Sequence, residues 1–404
     1  MKVFIVGIGT DGISTLTREA EKAVSESELI IGAERMVRRY EDSGKEIFIN
    51  YDPEKITEKI KNSRAEKISV LMSGDCGFFS GAKKLVPMLE NEVGCETEMI
   101  GGISSAVYFC AKTGISYENM KFISLHTYDA VIGKIAVNVR MNEKCFFLLG
   151  GNYPAFFLCR RLCDYGLKDV KIYIGENLGY ENEKIICGSA EELADYRGEK
   201  LAVLIAVNED HIDYIPSGIN DDEFIRDDKI PMTKSEVRCI AVSGLNIAHD
   251  SVCWDIGSGS GSVSVEAAFR CPDGKVCAFD RSSEAYRLTR ENACKFGCDN
   301  IIAVKGECPD ILEDAESPDK VFIGGSSGRL KEIFQCVYNK NPYADITVTA
   351  VSVETLGESV RLFEEYGGSF SVTQAAVTRT KRIGRHTMFN ALNPVYIIKG
   401  TLNK

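Results

Sequence analysis

Short apolar runs alternate with amphipathic stretches along almost the whole chain. Apolar runs fall at 3–9 (VFIVGIG), 29–32, 67–74 (KISVLMSG), 145–149, 170–174, 201–207 (LAVLIAV), 252–256, 275–279, 301–305, 321–323 and 345–351. Runs this short, bounded by glycine or polar residues, predict buried strands of largely parallel sheets. Between them, 16–24, 53–61, 82–89, 153–163, 263–269, 283–296 and the stretch from Leu330 carry apolar residues at helical spacing. Pro53 opens one of these helices, at a position where proline has no hydrogen bond to lose. Regular alternation of strand and helix predicts an α/β fold.

The pattern breaks once. Residues 208–228 (NEDHIDYIPSGINDDEFIRDD) are polar and acidic and include Pro216 and Gly218. They predict a boundary, with one domain over 1–207, a linker over 208–220 and a second domain over 221–404. A length of 404 residues also exceeds one typical core.

Several strands run directly into glycine turns, the sharpest at 254–266 (WDIGSGSGSVSVE). There Gly257, Ser258, Gly259, Ser260 and Gly261 separate a strand from a helix. Such a turn presents backbone N–H groups to a ligand at the carboxyl end of a sheet. Asp280 ends the next strand, 19 residues beyond Gly261, near the offset of a carboxylate that accepts ribose hydroxyls. The spacing is GxGxG, with Ser264 where a third glycine of GxGxxG would fall, which leans toward S-adenosyl-L-methionine and leaves a dinucleotide open. The first half holds two comparable units: 67–81, with Asp75 at the strand end, and 99–106 (MIGGISSA).

Net charge is −11, which argues against nucleic acid as the main partner. No run of 18 apolar residues occurs and the chain opens directly on a strand pattern, so neither a membrane span nor a signal peptide is expected, and the location is expected to be cytoplasmic. Fifteen cysteines are present without a single CxxC, and many sit inside apolar runs. They read as reduced core thiols, and no metal site is expected.

With these motifs in hand, the first half resembles the class III tetrapyrrole methylases, through 7–17 (GIGTDGISTLT), 73–81 (SGDCGFFSG), 101–106 (GGISSA) and 175–185 (GENLGYENEKI). The second half resembles the class I methyltransferases that methylate and decarboxylate precorrins, through 221–238, 254–268, 306–309 (GECP), 323–330 (IGGSSGRL) and 393–398 (NPVYII). The two in this order resemble the fused corrin-pathway methyltransferases. The resemblance implies a class III methylase fold followed by a Rossmann-like domain, two S-adenosyl-L-methionine sites, a tetrapyrrole substrate and self-association. It implies cofactor contacts at Ile8, Asp75, Phe78, Ser104 and Ser105 in the first domain. In the second it implies Thr233, the 257–261 loop, Asp280 and Cys308. The loop at Gly9 is expected to face the tetrapyrrole. The chain departs from the family pattern at Cys76, Gly101 and Leu149.

Methyl transfer from a sulfonium to an electron-rich ring carbon needs alignment and exclusion of water more than a strong base. The absence of an obvious catalytic dyad fits that demand. A polycarboxylate substrate on an acidic chain requires local cations, and Arg379, Lys381, Arg382 and Arg385 are the best cluster, with Lys234 and Arg238 next. A solvated surface strand is the competing reading of that cluster. His126 in SLHTYD is a further substrate candidate, as are Gly325 and Ser326 in the 324–328 loop. Two other functions remain open at this point: a dinucleotide oxidoreductase, and a tetrapyrrole-binding scaffold with one active domain.

Overall fold

The computed structural model describes residues 1–125, 133–150 and 153–403. The described chain divides into two compact units. The first takes residues up to 125, then 144–157 and 171–207, and the second takes 133–143, 158–170 and 208–403.

The first unit contains two sheets. One is built from β1 (Lys2–Gly7), β2 (Leu29–Gly32), β3 (Glu46–Ile49), β4 (Lys67–Met72) and β5 (Glu96–Ile100), in the order β3-β2-β4-β1-β5. Every pairing in it is parallel. β1, β2 and β4 are nearly all buried, as continuous apolar runs require. The other sheet comprises β6 (Lys121–Ser124), β7 (Lys144–Leu148), β8 (Lys171–Glu176), β9 (Lys184–Ser189) and β10 (Ala202–Val207), in the order β6-β7-β10-β8-β9. It is mixed, with β7, β8 and β9 antiparallel to their neighbours around β10 and β8.

The second unit carries a seven-stranded sheet of β11 (Val252–Ile256), β12 (Lys275–Asp280), β13 (Ile301–Lys305), β14 (Lys320–Ile323), β15 (Asp345–Ala350), β16 (Ser369–Ala375) and β19 (Val395–Thr401). Its order is β13-β12-β11-β14-β15-β19-β16. The first five strands are parallel, and β19 inserts antiparallel between β15 and β16. Strand order reverses between β11 and β14, the place where open α/β sheets leave a crevice at their carboxyl ends. β17 (Thr378–Ile383) and β18 (His386–Ala391) form a separate, mostly exposed hairpin.

Residues 208–220, expected as a linker, are hydrogen-bonded within the second unit. Asn208 Nδ2 donates to the Val139 carbonyl at 2.9 Å, and the Ile212 N–H to the Arg140 carbonyl at 2.8 Å. The N–H groups of Gly218 and Ile219 reach the Glu266 carboxylate at 3.1 and 3.0 Å. All fifteen cysteines are free thiols and nine are buried, so the apolar-run cysteines act as small core residues. No described helix is long and apolar enough to cross a membrane.

Candidate active sites

In the second unit, β11 delivers its chain to the crevice through three left-handed glycines, Gly257, Gly259 and Gly261, at φ +75°, +56° and +75°. A side chain at Gly257 would meet the Gly325 backbone at 2.7 Å, and one at Gly259 the Pro231 carbonyl at 2.6 Å. Glycine is therefore required by both conformation and space. Asp280, at the end of β12, ties this loop down. Its Oδ2 accepts from the Gly259 N–H at 3.0 Å and its Oδ1 from the Ser282 N–H at 2.9 Å.

The result is a cavity of about 280 Å³ whose walls include Gly257, Gly259, Asp280, Cys308, Gly325 and Ser326. Thus six expected residues come together. Ile230, Pro231, Arg281 and Glu307 share that wall and went unnoticed as site residues, although Ile230, Pro231 and Glu307 lie inside the resembling motifs. Gly261 instead packs on Thr289, and Ser258 Oγ lies 3.2 Å from Thr289 Oγ1. Ser260 lines a neighbouring cavity. Thr233 offers its carbonyl to Arg238 at 2.7 Å. Burial pushes the Cys308 thiol up to about 12, so at neutral pH it is an uncharged wall of the cavity.

Beneath the loop, Asp255 is buried on β11 and accepts from Ser264 Oγ, while its Oδ1 has no partner among the described residues. Burial raises its carboxyl to about 7, against the Ser264 hydrogen bond and with some help from Asp280.

Asp75, Phe78, Ser104 and Ser105 line a cavity of about 350 Å³ in the first unit. Asp75 closes two turns at once, accepting the Gly77 N–H at 2.8 Å and the Gly102 N–H at 2.9 Å. Ser104 caps the helix Ser105–Thr113, its Oγ taking the Val107 N–H at 3.2 Å. The departure at Cys76 has a local role, since its thiol donates to the Ile100 carbonyl at 3.3 Å and ties the loop after β4 to the end of β5. Ile8 is buried in the core beside α-helical Ala20 and Val24, and Gly9 bridges backbone to backbone with Gly74. Neither lines the cavity. Arg35 and Lys200 do line it, and the sequence reading passed over both.

The expected cationic cluster divides. Arg379 pairs with Glu236 and with Asp221, the latter at 3.0 Å, so its charge is matched inside the protein. Glu236 is held down to about 2, chiefly by its hydrogen bond from Arg379. Arg238 is fully buried on Glu266 at 2.6 Å. Lys381, Arg382 and Arg385 lie on or beside the exposed hairpin, without a carboxylate partner among the described residues. His126 lies outside the described residues.

Comparison with known proteins fits this geometry. Residues 2–194 match the family model of tetrapyrrole (corrin/porphyrin) methylases, and 222–401 that of the precorrin methyltransferase domain. A probable cobalt-precorrin-6B C(15)-methyltransferase (decarboxylating) of Pyrobaculum calidifontis is 41% identical over 46% of this chain and 96% of its own. The chain belongs to the precorrin methyltransferase family. A similarly named protein of Saccharolobus solfataricus is 38% identical, again over 46% of this chain and 96% of its own. Among solved structures, a precorrin-6Y C5,15-methyltransferase from Geobacter metallireducens is 39% identical, covering 46% of this chain and 97% of that one, with a TM-score of 0.44.

Proposed function

We propose that the chain is a bifunctional, S-adenosyl-L-methionine-dependent enzyme of the precorrin-6Y 5,15-methyltransferase (decarboxylating) type. It methylates a precorrin-6 tetrapyrrole at carbons 5 and 15 and removes CO2 from the acetate on carbon 12, a step of corrin synthesis. The observation that carries this reading is the glycine cradle clasped by Asp280, in a chain whose two halves match the two methylase families.

The cradle suits a nucleoside-bearing cofactor. Open space faces Gly325, glycine backbone approaches from Gly257, and Asp280 retains lone pairs for ribose hydroxyls. The cofactor would supply an electrophilic methyl group. The chain's own part is to hold and orient: Asp280 fixes the loop, and the neutral Cys308 thiol and Phe279 supply an apolar portion of a wall that also carries Arg281 and Glu307. In the first unit Asp75 and the Ser104-capped helix would take the same role. Decarboxylation is assigned to the second unit, whose family it matches. Lys381, Arg382 and Arg385 remain there to attract the carboxylates, because Arg379 is already paired. The antiparallel β19 departs from the 3-2-1-4-5-6 order of dinucleotide-binding sheets and adds to the case against an oxidoreductase.

Calorimetry with S-adenosylhomocysteine is expected to show two sites per chain, with no saturable binding of NADH. Asp280→Ala is expected to weaken one site by about 10- to 150-fold, the equivalent of losing hydrogen bonds to a charged acceptor worth about 1.5–3 kcal/mol. The other site should keep its affinity. Two unchanged sites in the variant would remove Asp280 from the cofactor site.

A further inference from the structure

The first cavity contains an arginine that no motif pointed to. Arg35 stands on the short helix Glu34–Val37, just past the carboxyl end of β2. Its guanidinium is braced by neutral groups only, with Nη1 donating to Tyr180 Oη at 3.2 Å and Nη2 to Ser73 Oγ at 3.0 Å. Arg35 has no carboxylate partner among the described residues, in contrast to Arg379 and Arg238 in the second unit. A guanidinium has five N–H donors in a fixed plane, so the Nε–H and one hydrogen on each Nη stay available.

The other titratable groups on the cavity wall are Asp75 and Lys200. Both Asp75 oxygens are engaged by backbone N–H groups, and Lys200, like Arg35, has no carboxylate partner among the described residues. The wall therefore carries two cations against one anion. Tyr180 accepts from Arg35, which leaves its own O–H free to donate. A pre-organised, charge-unmatched guanidinium that shares a cavity wall with a second cation is the chemistry of a carboxylate clamp.

We propose that Arg35, braced by Ser73 and Tyr180 and assisted by Lys200, is the carboxylate-binding subsite of the first cavity. This rests on the methyltransferase reading, which supplies two carboxylate sources: the aminoacyl end of the cofactor and the acid side chains of the tetrapyrrole. Asp75 in the same cavity offers a place for an ammonium group, as the aminoacyl end would need.

The test uses the full chain carrying Arg35→Gln, with Arg35→Lys as the charge-conserving control and a thermal melt to confirm folding. S-adenosylhomocysteine and 5′-deoxy-5′-methylthioadenosine, which lacks the amino acid, are titrated by calorimetry, and the KM for tetrapyrrole is measured. A clamp on the cofactor carboxylate gives an S-adenosylhomocysteine affinity at one site about 10- to 150-fold weaker in Arg35→Gln, with methylthioadenosine unchanged. A clamp on the tetrapyrrole leaves both nucleosides unchanged and raises KM by a similar factor at unchanged kcat. In either case Arg35→Lys recovers part of the loss. Equal weakening of both nucleosides would show a merely structural role, and no change in any of the three would remove Arg35 from the site; both overturn the proposal. Either result with wild-type protein that binds S-adenosylhomocysteine at two sites leaves the parent reading standing. Failure of the wild type to bind it at all removes that reading and the clamp together.

Discussion

Replacing Arg238 by methionine is expected to destabilise the second unit by about 3–5 kcal/mol. Arg238 is fully buried in the helix Ser235–Gly244, and its partner Glu266 is fully buried in the helix Ser262–Arg270. Their 2.6 Å contact joins the two helices. Arg238 also donates to the carbonyls of Thr233 and Ile219, and its guanidinium lies 4.8 Å from the centre of the Phe224 ring. Methionine fills much of the volume but leaves Glu266 charged and buried with only the N–H groups of Gly218 and Ile219 to hold it. Removal of one member of a buried pair is costly for that reason, whereas removal of both is mild. Adding Glu266→Gln to the variant is therefore expected to restore part of the loss. Urea unfolding followed by fluorescence suits the experiment, because Trp254 is the single tryptophan and is buried in this unit. A loss below about 1 kcal/mol would place the pair in the class of exposed bridges.

The second large effect is one of pH. Asp255 has a folded-state carboxyl raised to about 7 by burial. Below about pH 4 the carboxyl is protonated in both folded and unfolded chains. Between about pH 4 and 7 the unfolded chain releases the proton while the folded chain keeps it, so raising the pH favours unfolding. Above about 7 both forms are ionised and the effect levels off. Relative to Asp255→Asn, wild type should lose about 1.4 kcal/mol per pH unit across that window, on the order of 4 kcal/mol in all. The difference between the two curves cancels the many carboxylates they share. Parallel curves from pH 4 to 7 would mean that Asp255 ionises normally and that its site admits water.

The strands that position both cavities were legible because their burial is continuous. β11 and β12 lie on the residues the apolar pattern marks, and so does the helix Ser283–Phe296. What escaped were mainly strands at sheet edges, β3, β6, β9 and β16, which are short or half exposed and so mix polar with apolar positions. The helix Ser235–Gly244 was hidden similarly, since a buried arginine interrupts its apolar face. In the sites, backbone-driven features were visible: glycine turns and a carboxylate at a strand end announce themselves by spacing. Side-chain pairings were not. Arg379 and Glu236 are 143 residues apart, and nothing local shows that one matches the charge of the other. Arg35 was missed because its braces, Ser73 and Tyr180, come from two distant loops of the first unit.

The central claim is that one chain adds two methyl groups and removes one carboxyl group. Incubation of the full chain with a precorrin-6 tetrapyrrole and S-adenosyl-L-methionine, read by mass spectrometry of the product, measures it directly. The account predicts a product that has gained two methyl groups and lost one CO2, with two S-adenosylhomocysteine released per product. A product carrying one methyl group with no loss of CO2, after both substrates are supplied in excess, would contradict it.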